Sequence, residues 1–299
     1  MEKYTYEIAI KLKKEYDNGA TQRDLDRKYK IDSYWLFKKY GLKCRTSSET
    51  KTKYRKNCIN LNWNFDFVNN EIQAYIIGFL LSDGSHNGSQ IEFKQSLKDF
   101  ELIEKLRNYF SEKLTINYYK NSCGFKISSK VACENLINLG VCKNKTHKEL
   151  SIPKIPENLI RHFIRGYFDG DGSIFVCTVN KIPKYLKGNI CSPTENILKE
   201  IQLELFKYNI ESTINKESRK GKLMKMPYGM SICSQDMYRL FFRKKDSINK
   251  LYHYLYDDAT IYLSRKKSIF EDNKIFYDNS EINSGISKGP ESSYSVESE

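Results

Sequence analysis

The 299-residue sequence predicts an α+β protein, two αββαββα repeats related by a pseudo-twofold and preceded by a small all-α unit. Three observations predict it. An apolar segment ending in Asp-Gly occurs twice, as IIGFLLSDG at residues 76–84 and IRGYFDGDG at residues 164–172. The strand and helix patterns that follow the first copy recur in the same order after the second. Ahead of both, residues 5–45 hold three short helical patterns separated by capping and stop signals.

The N-terminal patterns come first. Glu7 to Tyr16 has apolar residues at Ile8, Leu12 and Tyr16, and Asn18-Gly19 ends it. Thr21 caps a second helix, with Asp24 completing a variant capping box and Leu25 and Tyr29 on its inner face. Ser33 is expected to cap a third helix that runs to Tyr40 and stops at Gly41. This is the layout of a helix-turn-helix, and a helical hairpin packed on the main body would share it. Residues 1–57 hold sixteen Lys or Arg against eight Asp or Glu. The third helix offers Tyr34, Lys38 and Lys39 where a recognition helix presents side chains to a groove.

Residues 43–57 are polar, basic and almost free of aliphatic side chains, the composition of a linker. Residues 278–299 are rich in Ser, Glu, Asn and Gly, which predicts disorder. The expected organisation is a helix-turn-helix unit over 1–45, a basic linker over 46–71, repeats over 72–155 and 156–272, and an acidic disordered tail over 273–299.

Within the first repeat, strand-like runs at Ile91 to Lys94, Ile116 to Tyr119 and Phe125 to Ser128 surround a helix from Asp99 to Phe110. In the second, strands are expected over Ser173 to Val179, Gly188 to Cys191, near Ile214, and over Met230 to Cys233, with a helix from Glu195 to Tyr208.

Composition narrows the function. Fifty Lys and Arg against 37 Asp and Glu give a net charge of +13, which points to a polyanion, although a solvated basic surface has the same balance. With 22 Tyr and 16 Phe, a wholly disordered chain is excluded. The eight cysteines are scattered without a CxxC pair, which argues against a zinc ribbon and for a reduced compartment. No apolar signal core or membrane-length apolar run is present. A soluble, non-secreted, cytoplasmic protein is expected, and the abundance of Lys, Asn, Ile and Tyr suits an AT-rich bacterial or phage genome.

The repeated motif carries the chemistry. Gly78 and Gly166, each inside a helix, let two helices cross with their backbones in contact. The crossing brings Asp83 and Asp171, at the helix C-termini, close together. Two carboxylates beside two negative helix ends repel one another unless a cation lies between them. Mg²⁺ takes a few carboxylates, waters and phosphate oxygens, so phosphodiester hydrolysis is the expected reaction. One such motif would be an ordinary helix end; two at one-domain spacing are harder to ascribe to packing.

These two segments resemble the paired signatures of the LAGLIDADG homing endonucleases. Leu139-Gly140-Val141, Asn144-Lys145-Thr146, Leu150 and Pro153 look like the end of that family's first repeat, and Ala259 to Lys267 like the end of its second. The resemblance covers about residues 72–271. It implies a monomer with two antiparallel sheets in the major groove of double-stranded DNA, and Mg²⁺ or Mn²⁺ as cofactor. It further implies metal ligation by Asp83 and Asp171 with the adjoining Gly84 and Gly172. Lys145, Lys266 and Gln95 are implied as the other catalytic groups, with Lys94 and Arg265 joining the N-terminal residues as DNA contacts.

The second repeat departs from the pattern with Cys191 or Ser192 in place of Gln95, and Leu81 stands where the second motif has Asp169. His86, His147, His162 and His253 are too dispersed for a histidine-based nuclease. No terminal His-Asn supports self-splicing. The alternative reading is a non-catalytic DNA-binding regulator or RNA splicing maturase on the same fold, for which loss of either acid would be the sign. Both acids are present.

Overall fold

The computed structural model describes residues 5–46, 59–145, 147–226 and 229–276. Residues 47–58 of the expected linker, most of the expected tail (277–299) and Thr146 lie outside the described residues. The chain forms two compact units, Met1–Asn60 and Leu61–Glu299.

In the first unit, α1 (Tyr6–Asp17), α2 (Gln22–Tyr29) and α3 (Ser33–Lys39) enclose Ala9, Leu12, Tyr16, Leu25, Ile31, Leu36 and Phe37. The Thr21 and Asp24 capping box is formed. The expected cap at Ser33 is not: Asp32 caps α3, accepting from the Trp35 amide at 2.8 Å, and Ser33 is buried as the first helical residue. A carboxylate caps at least as well as a hydroxyl, and Asp32 is the residue with extended backbone angles. Tyr34, Lys38 and Lys39 are exposed on α3, and so is Trp35, which its apolar character did not suggest.

The second unit is mixed α and β. Its first repeat runs α4 (Glu71–Ser82), β1 (Ser85–His86), β2 (Ile91–Ser96), α5 (Phe100–Phe110), β3 (Asn117–Tyr118), β4 (Ser122–Ile127) and α6 (Lys130–Leu139). The second runs α7 (Ile160–Asp171), β5 (Gly172–Val179), β6 (Ile182–Ser192), α8 (Glu195–Phe206), β7 (Thr213–Glu217), the hairpin β8 (Leu223–Met226) and β9 (Gly229–Ile232), β10 (Met237–Phe242) and α9 (Lys245–Tyr256). A last helix, α10, spans Ser264–Glu271. The sheets have matching antiparallel orders, β1-β2-β4-β3 and β5-β6-β10-β7.

Two sequence expectations need correction here. The fourth strand of the second sheet is Met237–Phe242, because its alternation turns Leu240 and Phe242 into the core. Residues 230–233 instead belong largely to the separate β8-β9 hairpin, where Met230 and Ile232 are exposed. The linker also ends sooner than expected. Trp63, Phe65 and Val68 are buried in the main core, with Trp63 stacked 5.9 Å from Phe110.

Helices α4 and α7 cross at the centre of this unit. A Cβ on Gly78 would lie 2.0 Å from the Phe163 carbonyl oxygen, and one on Gly166 would lie 2.1 Å from that of Tyr75. Only glycine fits where the obstacle is backbone on both sides. Gly170 is constrained similarly, since a Cβ there would meet the Ser82 side chain at 1.9 Å. Gly78→Ala is therefore expected to cost about 2 kcal/mol or more, in the range of overpacked cores. Urea unfolding measures this, and an unchanged midpoint would show that the helices separate freely.

Candidate active site

The crossing delivers two acids to one place. Asp83 is the C-cap of α4 and exposed; Asp171 is the last residue of α7 and half-buried. Burial first, and then the Asp83 carboxylate, raise the Asp171 carboxyl to about 6, against the opposing pull of Lys145 and Lys266. The glycines after the acids serve the chain path: a Cβ on Gly84 would meet Leu80 at 2.4 Å, and one on Gly172 the Phe168 carbonyl at 2.4 Å.

Each motif helix ends on a lysine. Lys145, in the loop after α6, donates to the Leu81 carbonyl at 2.8 Å and to that of Ser82. Lys266, on α10, donates to Phe168 at 2.7 Å, Asp169 at 2.6 Å and Gly172 at 2.6 Å. A helix leaves its last carbonyls without partners, and a cation there opposes the dipole. Burial pushes both lysines down, Lys266 to about 8, while Asp83 and Asp171 act on both in the opposite sense. Neither ammonium is a solvated surface charge. The implied metal-side role of Gly172 meets a carbonyl that already accepts from Lys266.

Gln95 sits at the end of β2 and donates from Nε2 to Asp83 Oδ2 at 2.5 Å. Register identifies its counterpart. Ser85 pairs with Glu92 and Ser173 with Asn189, so three residues on, Gln95 corresponds to Ser192 and Lys94 to Cys191. Ser192 is fully buried and accepts from the Thr194 amide at 3.1 Å. The two halves therefore differ: an amide side chain holds Asp83, and a short buried hydroxyl stands at the matching position in the second half.

A buried polar cluster missed by sequence reasoning locks the second motif. Asp169 accepts from Tyr75 Oη at 2.8 Å, Tyr256 Oη at 3.2 Å and the Leu263 amide at 2.7 Å. Arg165, with no exposed surface, donates to the carbonyls of Ile261 and Leu255 and to Glu71 at 2.5 Å. Glu71 also accepts from the Thr260 amide at 2.8 Å. An arginine inside an apolar helix was the available signal, because a buried charge needs a partner.

The expected DNA contacts fall in different settings. Lys94 is exposed on the sheet face turned away from the helices, its ammonium 4.5 Å from the Tyr119 ring centre. Arg265 makes a two-point ion pair with the buried Asp99 at 3.1 and 3.2 Å, tying α10 to the first repeat. Tyr34, Lys38 and Lys39 belong to the N-terminal unit.

The donor set suits a hard divalent cation. Among the described residues no cluster of three or more His, Cys, Asp or Glu forms a closed cage. Two carboxylates that repel each other, with other coordination positions left to water or phosphate oxygens, match the preference of Mg²⁺. Between about pH 4 and 6 the folded chain keeps protons on Asp171 and Asp169 that the unfolded chain has released, so stability falls as pH rises through that window. Asp171→Asn is expected to melt a few degrees above the wild type at pH 7.5 without divalent cations, and Mg²⁺ to stabilise only the wild type. Thermal melts with and without Mg²⁺ check this; a lower-melting variant would contradict it.

Residues 158–246 match the LAGLIDADG-like domain family. The chain is 27% identical over 209 residues to the DNA-directed RNA polymerase subunit Rpo1C of Methanocaldococcus jannaschii, covering 67% of this chain and 22% of that protein. It is 28% identical over 148 residues to the reverse gyrase of Thermococcus kodakarensis, covering 49% of this chain and 8% of that one. The chain thus spans less than a quarter of the length of these curated relatives. Among solved structures it is similar to the LAGLIDADG homing endonuclease I-GzeII in complex with DNA target, at 16% identity over 70% of this chain and 90% of that one, with a TM-score of 0.48. It is also similar to I-DmoI in complex with DNA and Ca, at 16% identity over 70% and 100%, with a TM-score of 0.43. No helix among the described residues is long and apolar enough to cross a membrane.

Proposed function

We propose that this chain, whose residues 158–246 form a LAGLIDADG-like domain, is a monomeric, site-specific endonuclease that hydrolyses both strands of duplex DNA. The observation that carries the reading is the pair Asp83 and Asp171, set together by two helices in backbone contact and close enough for one carboxylate to raise the other. A binding protein gains nothing from that repulsion.

In this reading Asp83 and Asp171 hold Mg²⁺ or Mn²⁺, which when bound polarises the scissile phosphates and acidifies the attacking water. Gln95 fixes the Asp83 carboxylate and presents its amide to the water on that side. Lys145 and Lys266, held against helix-end carbonyls, offset the acids and favour the charge that develops on phosphate oxygens. Water attacks phosphorus and gives up a proton to solvent, the bond to the 3′ oxygen breaks, and that oxygen takes a proton from solvent to leave as a hydroxyl. The outer sheet faces, with Lys94 on the first, lie in the major groove. Arg265, half-exposed and held in place by Asp99, is a further phosphate contact. Tyr34, Lys38 and Lys39 of the N-terminal unit engage DNA as a helix-turn-helix, with Trp35 beside them.

Incubation with a randomised duplex library, followed by sequencing of the ends, tests the reading. Defined double-strand breaks with short 3′ overhangs are expected in Mg²⁺ or Mn²⁺, abolished by chelation and by the double variant Asp83→Asn/Asp171→Asn. Tight binding without cutting under any divalent cation would replace it with a DNA-binding regulator or splicing maturase. Trp35→Ala with Lys38→Ala and Lys39→Ala is expected to weaken binding to a selected site about tenfold or more without moving the cut positions. An unchanged affinity in gel shifts would remove the N-terminal unit from recognition.

A further inference from the structure

The two repeats differ most where their last sheet strands are joined. In the first, β3 passes to β4 through residues 119–121, closed by the Tyr119 amide on the Ser122 carbonyl at 2.7 Å. In the second, residues 218–236 intervene between β7 and β10 and include the β8-β9 ribbon.

Register fixes where this ribbon starts. Gly172, next to Asp171, pairs with Ile190, and Ser192 at the same end of β6 pairs with Tyr238 of β10. Glu217 pairs with Met237 at that end. The insertion therefore leaves the second sheet at its catalytic end.

The root is firmly built. Asp236 accepts from the amides of Arg219 and Lys220, both at 2.9 Å, and pairs with Lys216 at 3.1 Å. The Gly221 amide meets the Cys233 carbonyl at 2.9 Å and the Cys233 amide that of Lys222 at 3.0 Å. Beyond the root the ribbon is basic and open. Arg219 is paired with Glu217, while Lys220, Lys222 and Lys225 are exposed. Leu223 pairs with Ile232 and Lys225 with Met230, so these four share one face, and Leu223, Ile232 and Met230 are 61%, 66% and 60% exposed. An isolated two-stranded ribbon is marginal in water. A projecting apolar strip flanked by lysines matches a groove, where sugars and thymine methyls lie between rows of phosphates.

We propose that the β8-β9 ribbon is a further DNA-binding element, present in one half of the protein only, which lies along duplex DNA beside the cleavage centre. The inference rests on the endonuclease reading. Phosphate contacts by Lys220, Lys222 and Lys225 anchor the ribbon, and Leu223, Met230 and Ile232 pack against the groove.

The test uses the full chain and a 40-base-pair duplex of mixed sequence, with Ca²⁺ in place of Mg²⁺, and follows fluorescence anisotropy as salt is varied. The slope of log affinity against log salt is expected to fall in magnitude by about 2 to 3 in the triple variant Lys220→Gln, Lys222→Gln, Lys225→Gln, since each phosphate contact contributes roughly 0.9. A slope equal to that of the wild type would overturn the proposal. Mg²⁺-dependent cleavage of the randomised duplex library by the wild type, measured alongside, separates the two claims: cutting with an unchanged slope defeats the ribbon alone, and a wild type that neither binds nor cuts defeats both.

Discussion

The backbone contact between α4 and α7 is the constraint on which the rest depends. With Gly78 against Phe163 and Gly166 against Tyr75, the axes cannot be pushed apart by side chains. Everything at the C-terminal ends then follows from geometry: Ser82 seats on Gly170, each helix turns through a glycine into a first strand, and Asp83 and Asp171 are held together. A looser crossing would still bury apolar side chains, but it would not hold the two acids in one place. The close one is justified by what it places at its foot.

Holding like charges together has a cost that the surroundings offset only in part. Lys145 and Lys266 lie under the helix ends, each satisfying carbonyls that the helices leave open, and both acids act on both lysines. The second motif receives further support. Arg165, Glu71, Asp169, Tyr75 and Tyr256 form a buried network that joins α7 to α4 and to the segment leading into α10. In the first motif Ile77 and Leu81 occupy the positions of Arg165 and Asp169, so the pseudo-symmetry of the backbone is not one of chemistry.

What was legible in the sequence was what repeats or caps. The paired motifs, the order of elements, the Thr21 capping box and the glycine contact are all local or periodic signals. What was not legible depended on register and on distant partners. The choice between Cys191 and Ser192 needed the pairing of Ser173 with Asn189. The last strand of the second sheet was displaced because residues 230–233 alternate as convincingly as 237–242, and only burial separates them. The ion pair of Arg265 gave no local signal, because its partner, Asp99, lies 166 positions away. Asp169 gave no periodic signal, since Leu81 stands in its place in the other copy.

The central claim is that one acid from each helix serves one strand of a single duplex. Strand-resolved cleavage of an end-labelled target by Asp83→Asn and by Asp171→Asn tests it most directly. Each variant is expected to lose double-strand cutting, and any nicks left by the two are expected to fall on opposite strands. Double-strand cutting that survives either substitution, or nicks confined to the same strand in both, would contradict it.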